Sequence, residues 1–148
     1  MKKNLIFAII YFTFLFSCSK VYLHKNLSYN FPLKNSEIVE TDKDKFSKGR
    51  NTFLSKIISY TDSLVYPVMS GTIVKTLNLN TKSIIIRHND TLLSVYTNLN
   101  TIFVKKGDSI DIQTPIGIAL KNINKWELKF AIWNRYFIMN TDSLLNSE

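Results

Sequence analysis

The strongest constraint on this chain is a succession of short β-branched and aromatic runs that begins near Val65. Val68–Leu77, Ser83–His88, Leu92–Tyr96, Ile102–Lys105, Ile116–Leu120 and Trp126–Trp133 are rich in residues that pack well on a pleated, half-buried surface. Between them stand Ser70-Gly71, His88-Asn89-Asp90, Lys106-Gly107-Asp108 and Thr114-Pro115, the residue types that turn a chain. Many short strands in close succession predict a mostly β fold of antiparallel sheets. A chain of 148 residues suits one domain and can bury a core without disulfides or metals. Upstream, residues 31–50 are polar, with Asp42-Lys43-Asp44-Lys45 at their centre, and read as an exposed loop. Asn51–Leu64 has mixed helical and strand character and is left unassigned. Asp142-Ser143-Leu144-Leu145 reads as a short helical turn.

The N-terminus carries a different signal. Lys2 and Lys3 precede an uncharged twelve-residue run, Leu5 to Phe16. A spanning helix needs about 20 apolar residues, so this run fits the apolar region of a secretory signal instead. It ends in Leu15-Phe16-Ser17-Cys18, which resembles a bacterial lipobox with Cys18 as the lipidated residue. Cys18 is the single cysteine, so an intramolecular disulfide is excluded, and a lone cysteine in an exported chain calls for an explanation. A thioether-linked lipid supplies one. Ser19 after it, by resemblance to enteric lipoproteins, favours the outer membrane over retention. The expected organisation is a lipoprotein signal peptide over 1–17, a lipidated cysteine and tether over 18–30, and a β domain over 31–148.

The net charge is +8, of which Lys2 and Lys3 supply two. A basic chain favours anionic partners, yet lysines such as Lys121 and Lys125 are scattered. No zinc knuckle, helix-turn-helix or aromatic RNA-binding signature supports nucleic acid as a partner. Nucleophile-elbow, phosphate-loop and Cys-x-x-Cys patterns are missing as well.

Six fragments read in order resemble the β core of the LytM/lysostaphin-type zinc metallopeptidases, which cut peptidoglycan. Tyr66-Pro67-Val68-Met69-Ser70-Gly71-Thr72-Ile73-Val74 is similar to the family's V-x-A-x-x-x-G-x-V strand. Ile84-Ile85-Ile86-Arg87-His88-Asn89-Asp90 is similar to its V-x-I-x-H-G, and Val95-Tyr96-Thr97-Asn98-Leu99 to its x-Y-x-H-L. Val104-Lys105-Lys106-Gly107-Asp108 with Pro115-Ile116-Gly117 resembles V-x-x-G-x-x-V-x-x-G-x-x-I-G. Glu127-Leu128-Lys129-Phe130-Ala131-Ile132 stands where the family has H-L-H-F-E-I, and Ser47-Lys48-Gly49-Arg50-Asn51 where it has H-x-G-x-D.

A hydrolytic zinc site needs three protein ligands and an open position for water, whose pKa the metal lowers. The resemblance places the three ligand positions at Ser47, Asn51 and Lys129, and the two assisting histidines at Asn98 and Glu127. None keeps the family residue, and Lys129 is a cation that repels zinc. The chain has two histidines: His24 falls in the tether, and His88 reads as a structural hydrogen-bonding residue. Glu127 and Lys129, two apart on one strand, face the same side and are expected to pair with each other. Trp126 and Trp133 read as core; Tyr136 and Phe137 fall in an expected hairpin loop and are as well suited to a partner surface.

The resemblance implies a duplicated, hybrid-type LytM β core without catalytic residues, metal or other cofactor. Relatives lacking the ligands bind and regulate cell-wall machinery such as amidases. The expected protein is a non-catalytic envelope lipoprotein, anchored to a membrane, facing the periplasm and touching peptidoglycan or a cell-wall hydrolase through Asn98, Glu127 and Lys129. The alternatives are a divergent zinc-dependent endopeptidase and a structural or surface lipoprotein.

Overall fold

A computed structural model describes residues 29–44 and 52–135 together with Met139, Thr141 and Leu145. The leader, Cys18, His24, Ser47, Asn51 and Tyr136-Phe137 lie outside the described residues. Nine strands are present among the described residues: β1 (Ser36–Asp44), β2 (Thr52–Ser59), β3 (Leu64–Val65), β4 (Gly71–Asn78), β5 (Lys82–Arg87), β6 (Leu92–Ile102), β7 (Ser109–Ile110), β8 (Gly117–Asn122) and β9 (Lys125–Asn134). They form one sheet in the order β1-β2-β9-β8-β6-β5-β4-β7, with β3 on β8 and a further β9–β6 pairing. Every pairing between strands is antiparallel, as the runs of β-branched residues predict.

Alternation along the strands separates two faces. Ile57 on β2, Leu128 and Phe130 on β9, Tyr96 on β6, Ile84 and Ile86 on β5 and Ile73 on β4 join one fully or nearly fully buried cluster. The Tyr96 and Phe130 rings are 5.1 Å apart, within the range of favourable aromatic pairs. Trp126 packs against this cluster as expected, whereas Trp133, expected in the core, is exposed, because it lies on the other side of the strand from Ile132. Thr141 and Leu145 have helical backbone, and Leu145 is buried in the cluster.

The sheet forks at Asn98. Leu92 to Thr97 of β6 pairs with Asn134 to Lys129 of β9. Beyond Asn98, β6 leaves β9 and takes up β8, with Leu99 opposite Ala119 and Ile102 opposite Gly117. Asn98 itself has φ 68°. Asparagine tolerates this left-handed region better than most residues, so it can redirect the strand without ending it.

Three expectations need correction. Residues 36–44 are not a loop: they form β1, the edge strand that pairs with β2. A sheet edge has one flank open, and charged residues are common there; the charge run therefore misread an edge as a loop. β6 runs on to Ile102 rather than stopping at Tyr96. The segment after Ile102 is a turn, not a strand: Lys105 N–H donates to Asp108 Oδ2 at 2.9 Å and Gly107 sits at φ 96°. The unassigned stretch after Asn51 becomes β2.

Gly71 is required by packing. A Cβ there would sit 2.5 Å from the carbonyl oxygen of Arg87 and 3.0 Å from Nδ1 of His88. Backbone and imidazole come this close only because the residue has no side chain.

Candidate functional site

The face opposite the main core carries a groove across β1, β2 and β9. Register alone sets its central row: Glu40 is opposite Lys56, Lys56 opposite Lys129 and Lys129 opposite Thr97. Glu127 is two residues before Lys129 and so shares its face. Glu40, Leu54, Lys56, Glu127 and Lys129 line a pocket of about 90 Å³.

Glu127 is the hub. It is buried, at 7% exposure, and a buried carboxylate needs partners. Lys56 Nζ approaches Oε2 at 3.4 Å. Asn122 Nδ2 donates to Oε2 at 3.4 Å. Asn98 Nδ2 donates both to Oε1 at 3.4 Å and to the Glu127 carbonyl at 3.3 Å. These contacts come from β2, β8 and β6, so the carboxylate ties together the strands that part at the fork. The ion pair expected between Glu127 and Lys129 is not formed. Side chains two apart on a strand run parallel, and Lys56 reaches Glu127 from the neighbouring strand. Lys129 is exposed.

Of the residues singled out in the sequence, Glu127 and Lys129 line the groove pocket, and Asn98 hydrogen-bonds to Glu127. Ser47 and Asn51 lie outside the described residues. Lys56, Glu40, Leu54 and Asn122 escaped the sequence reading. Once residues 52–59 are taken as a strand, period-two alternation puts Leu54, Lys56 and Ile58 on one face, which would have exposed Lys56.

The donor set does not fit zinc. At the groove it holds two carboxylates, Glu40 and Glu127, and two ammonium groups, while zinc takes imidazole, thiolate or carboxylate ligands without cations among them. Among the described residues no three His, Cys, Asp or Glu side chains lie close enough to hold a metal.

His88 belongs to a separate corner. Its Nδ1 is 2.9 Å from the Ser70 carbonyl, which can only accept, so Nδ1 carries the proton. Nε2 lies 2.7 Å from the Ser94 hydroxyl. Ser94 Oγ donates to the Tyr96 hydroxyl at 3.2 Å, and the same Tyr96 oxygen accepts from Val68 N–H at 2.9 Å. Burial pushes the His88 pKa below its ordinary 6.5, against opposing hydrogen bonds from the Ser70 and Met69 backbone. Burial also raises the Tyr96 pKa. His88 is thus the hydrogen-bonding structural residue expected from the sequence.

Residues 55–141 match the profile of peptidase family M23. No curated protein matches. Among solved structures, the chain is similar to a chain of the SpoIIQ–SpoIIIAH pore-forming complex, with TM-score 0.63 and 20% identity over 80% of this chain and 90% of that one. A zinc-containing peptidase from Vibrio cholerae gives TM-score 0.59 and 20% identity over 73% of this chain. Helicobacter pylori Csd3 gives 0.58 and 18% over 81%. This chain spans only 37% of the Vibrio chain and 33% of the Helicobacter one.

Proposed function

The chain belongs to peptidase family M23, and we propose that it is a non-catalytic member: a lipid-anchored envelope protein that binds peptidoglycan or regulates cell-wall machinery such as an amidase. The observation that carries this reading is the cross-strand pair Lys56 and Lys129 on the groove face. Lys129 stands where the family resemblance places a metal ligand, a second ammonium group lies directly opposite it, and Glu127 is engaged as a clamp. An ammonium group at a ligand position supplies no lone pair to zinc and repels it, whereas a hydrolytic site needs three protein ligands and a bound water. The likeness to a chain from a two-protein complex favours a protein partner. Cys18 after an apolar run supports the anchor.

The test is to incubate full-length protein with purified peptidoglycan, alone and with a cell-wall amidase. The expected result is retention on the wall or faster release of fragments by the amidase, and no release by the protein alone. Release of fragments by the protein alone would overturn the reading. For the anchor, Cys18→Ala is expected to move the protein from the detergent phase to the aqueous phase; unchanged partition refutes lipidation.

A further inference from the structure

Asn122 and Lys125 pair across β8 and β9, so Ile123 and Asn124 form a two-residue hairpin turn. Such turns need positive φ at the first central residue, a place that glycine, asparagine or aspartate fills. Ile123 stands there with φ 54°. A β-branched side chain in this left-handed region is a genuine outlier and stores strain. Burial does not offset it, because Ile123 is 86% exposed. Neither the turn nor the core accounts for an isoleucine here. Residues 120–124 are all exposed. Lys121 and Lys125 flank the tip with no acid between them, and Lys121 Nζ lies 5.6 Å over the Trp126 ring. More apolar surface gathers at the same end. Ser59 is opposite Trp126, so Tyr60, next on the chain and 64% exposed, emerges beside Lys125. Leu64 is opposite Ile118, and Leu120, two further along β8, shares that face; both leucines are exposed. The acids nearby in sequence or register are already engaged: Asp62 by Asn35 and Thr61, Glu127 by Lys56.

We infer that this end of the domain docks on an anionic lipid bilayer, with Ile123 entering the acyl boundary, Tyr60 at headgroup level, and Lys121 and Lys125 meeting lipid phosphates. Aliphatic side chains beside lysines are the composition of segments that lie in a membrane interface, and tyrosine is enriched at headgroup depth. Each lysine close to an anionic surface adds attraction, and the chain as a whole is basic, at +8. The tether agrees. Residues 19–28 separate Cys18 from Tyr29 and reach at most about 40 Å, and four residues after Tyr29 the chain bridges Val65 through Leu33, next to Leu64. An anchor at Cys18 thus holds this surface within reach of the bilayer. The tether argument rests on the reading of Cys18 as the anchor; the turn geometry and the charge do not.

Full-length protein would be placed in nanodiscs of phosphatidylcholine and phosphatidylglycerol containing a doxyl-labelled lipid, and paramagnetic relaxation of the backbone amides measured. Enhancement is expected to peak at Ile123 and Tyr60. It is expected to be several-fold smaller at Phe103, an exposed apolar residue that bonds Ile116 at the other end of β8, about 20 Å away along the strand. Uniform enhancement, or a maximum away from the tip, would overturn the inference. Ile123→Asn is expected to weaken tip association about tenfold, as loss of one buried aliphatic side chain implies, and to raise the unfolding midpoint by relieving the turn. Unchanged association, or a lower midpoint, would assign Ile123 to the scaffold and overturn the docking role. Lys125→Gln is expected to weaken association about fivefold, and discs of phosphatidylcholine alone to weaken it further; contact indifferent to lipid charge contradicts an anionic surface. Tip contact together with unchanged detergent partition of Cys18→Ala sustains this surface and overturns the lipid anchor. A partition change without tip contact overturns this surface alone.

Discussion

The His88 corner and the Glu127 groove are both polar clusters on the same sheet, yet they are built to opposite ends. In the corner, the Tyr96 oxygen accepts from Val68 N–H and from Ser94, and both ring nitrogens of His88 are engaged, by the Ser70 carbonyl and the Ser94 hydroxyl. In the groove, Glu127 is satisfied by three neighbouring strands while Lys129, in the same pocket, is exposed. A histidine in a family of histidine-dependent enzymes invites a catalytic reading. Here the corner is structural, and the open groove, which contains no histidine among the described residues, is the face on which the proposed binding role rests.

The contrast can be broken most forcefully at Tyr96. Tyr96→Ala removes a fully buried ring and is expected to cost about 3–5 kcal/mol, read by urea denaturation. Tyr96→Phe keeps the ring but leaves Val68 N–H without its acceptor, at an expected cost of about 1–3 kcal/mol. A loss under about 0.5 kcal/mol in the second variant would mean that the Tyr96 hydroxyl does not hold Val68. Glu127→Ala removes the clamp of the fork and is expected to cost about 1–2 kcal/mol, because its contacts to Lys56, Asn98 and Asn122 are long, at 3.4 Å, and partly solvated.

A graded effect is expected at His88. Its folded pKa lies below the ordinary 6.5, so below that value the unfolded chain takes up a proton that the folded chain refuses. Stability from this group is complete above about pH 6.5 and is lost as pH falls from there towards the folded value. His88→Gln is expected to flatten that part of the stability profile; an unchanged slope would assign it to other groups. The smallest effect is at Lys129. Lys129→Gln is expected to change stability by no more than about 0.5 kcal/mol, as for an exposed residue without structural contacts. A larger loss in thermal or urea unfolding would make Lys129 part of the scaffold and erase the distinction between the two regions.

The fold was legible wherever strands bury a face. Ile84–Ile86 and Trp126–Trp133 announce themselves because their β-branched and aromatic residues face a core. β1 was not legible, because a run containing Asp42, Lys43 and Asp44 shows no apolar alternation strong enough to separate an edge strand from a loop. The length of β6 was hidden by Asn98: a polar residue with left-handed backbone reads as a strand end, although here it bends the strand and forks the sheet. In the groove, Glu127 and Lys129 stand at positions the motifs marked, but the pair expected between them is replaced by Glu127 with Lys56. That pairing depends on which strand lies beside β9, and the neighbour that supplies Lys56 is about 70 residues away in sequence, with nothing local to reveal it.

The most direct test of the central claim is elemental analysis of zinc in purified full-length protein, with peptidoglycan digestion assayed on the same sample. The expected result is no stoichiometric zinc and no digestion. Stoichiometric zinc together with digestion would contradict it and make the groove a working metallopeptidase site.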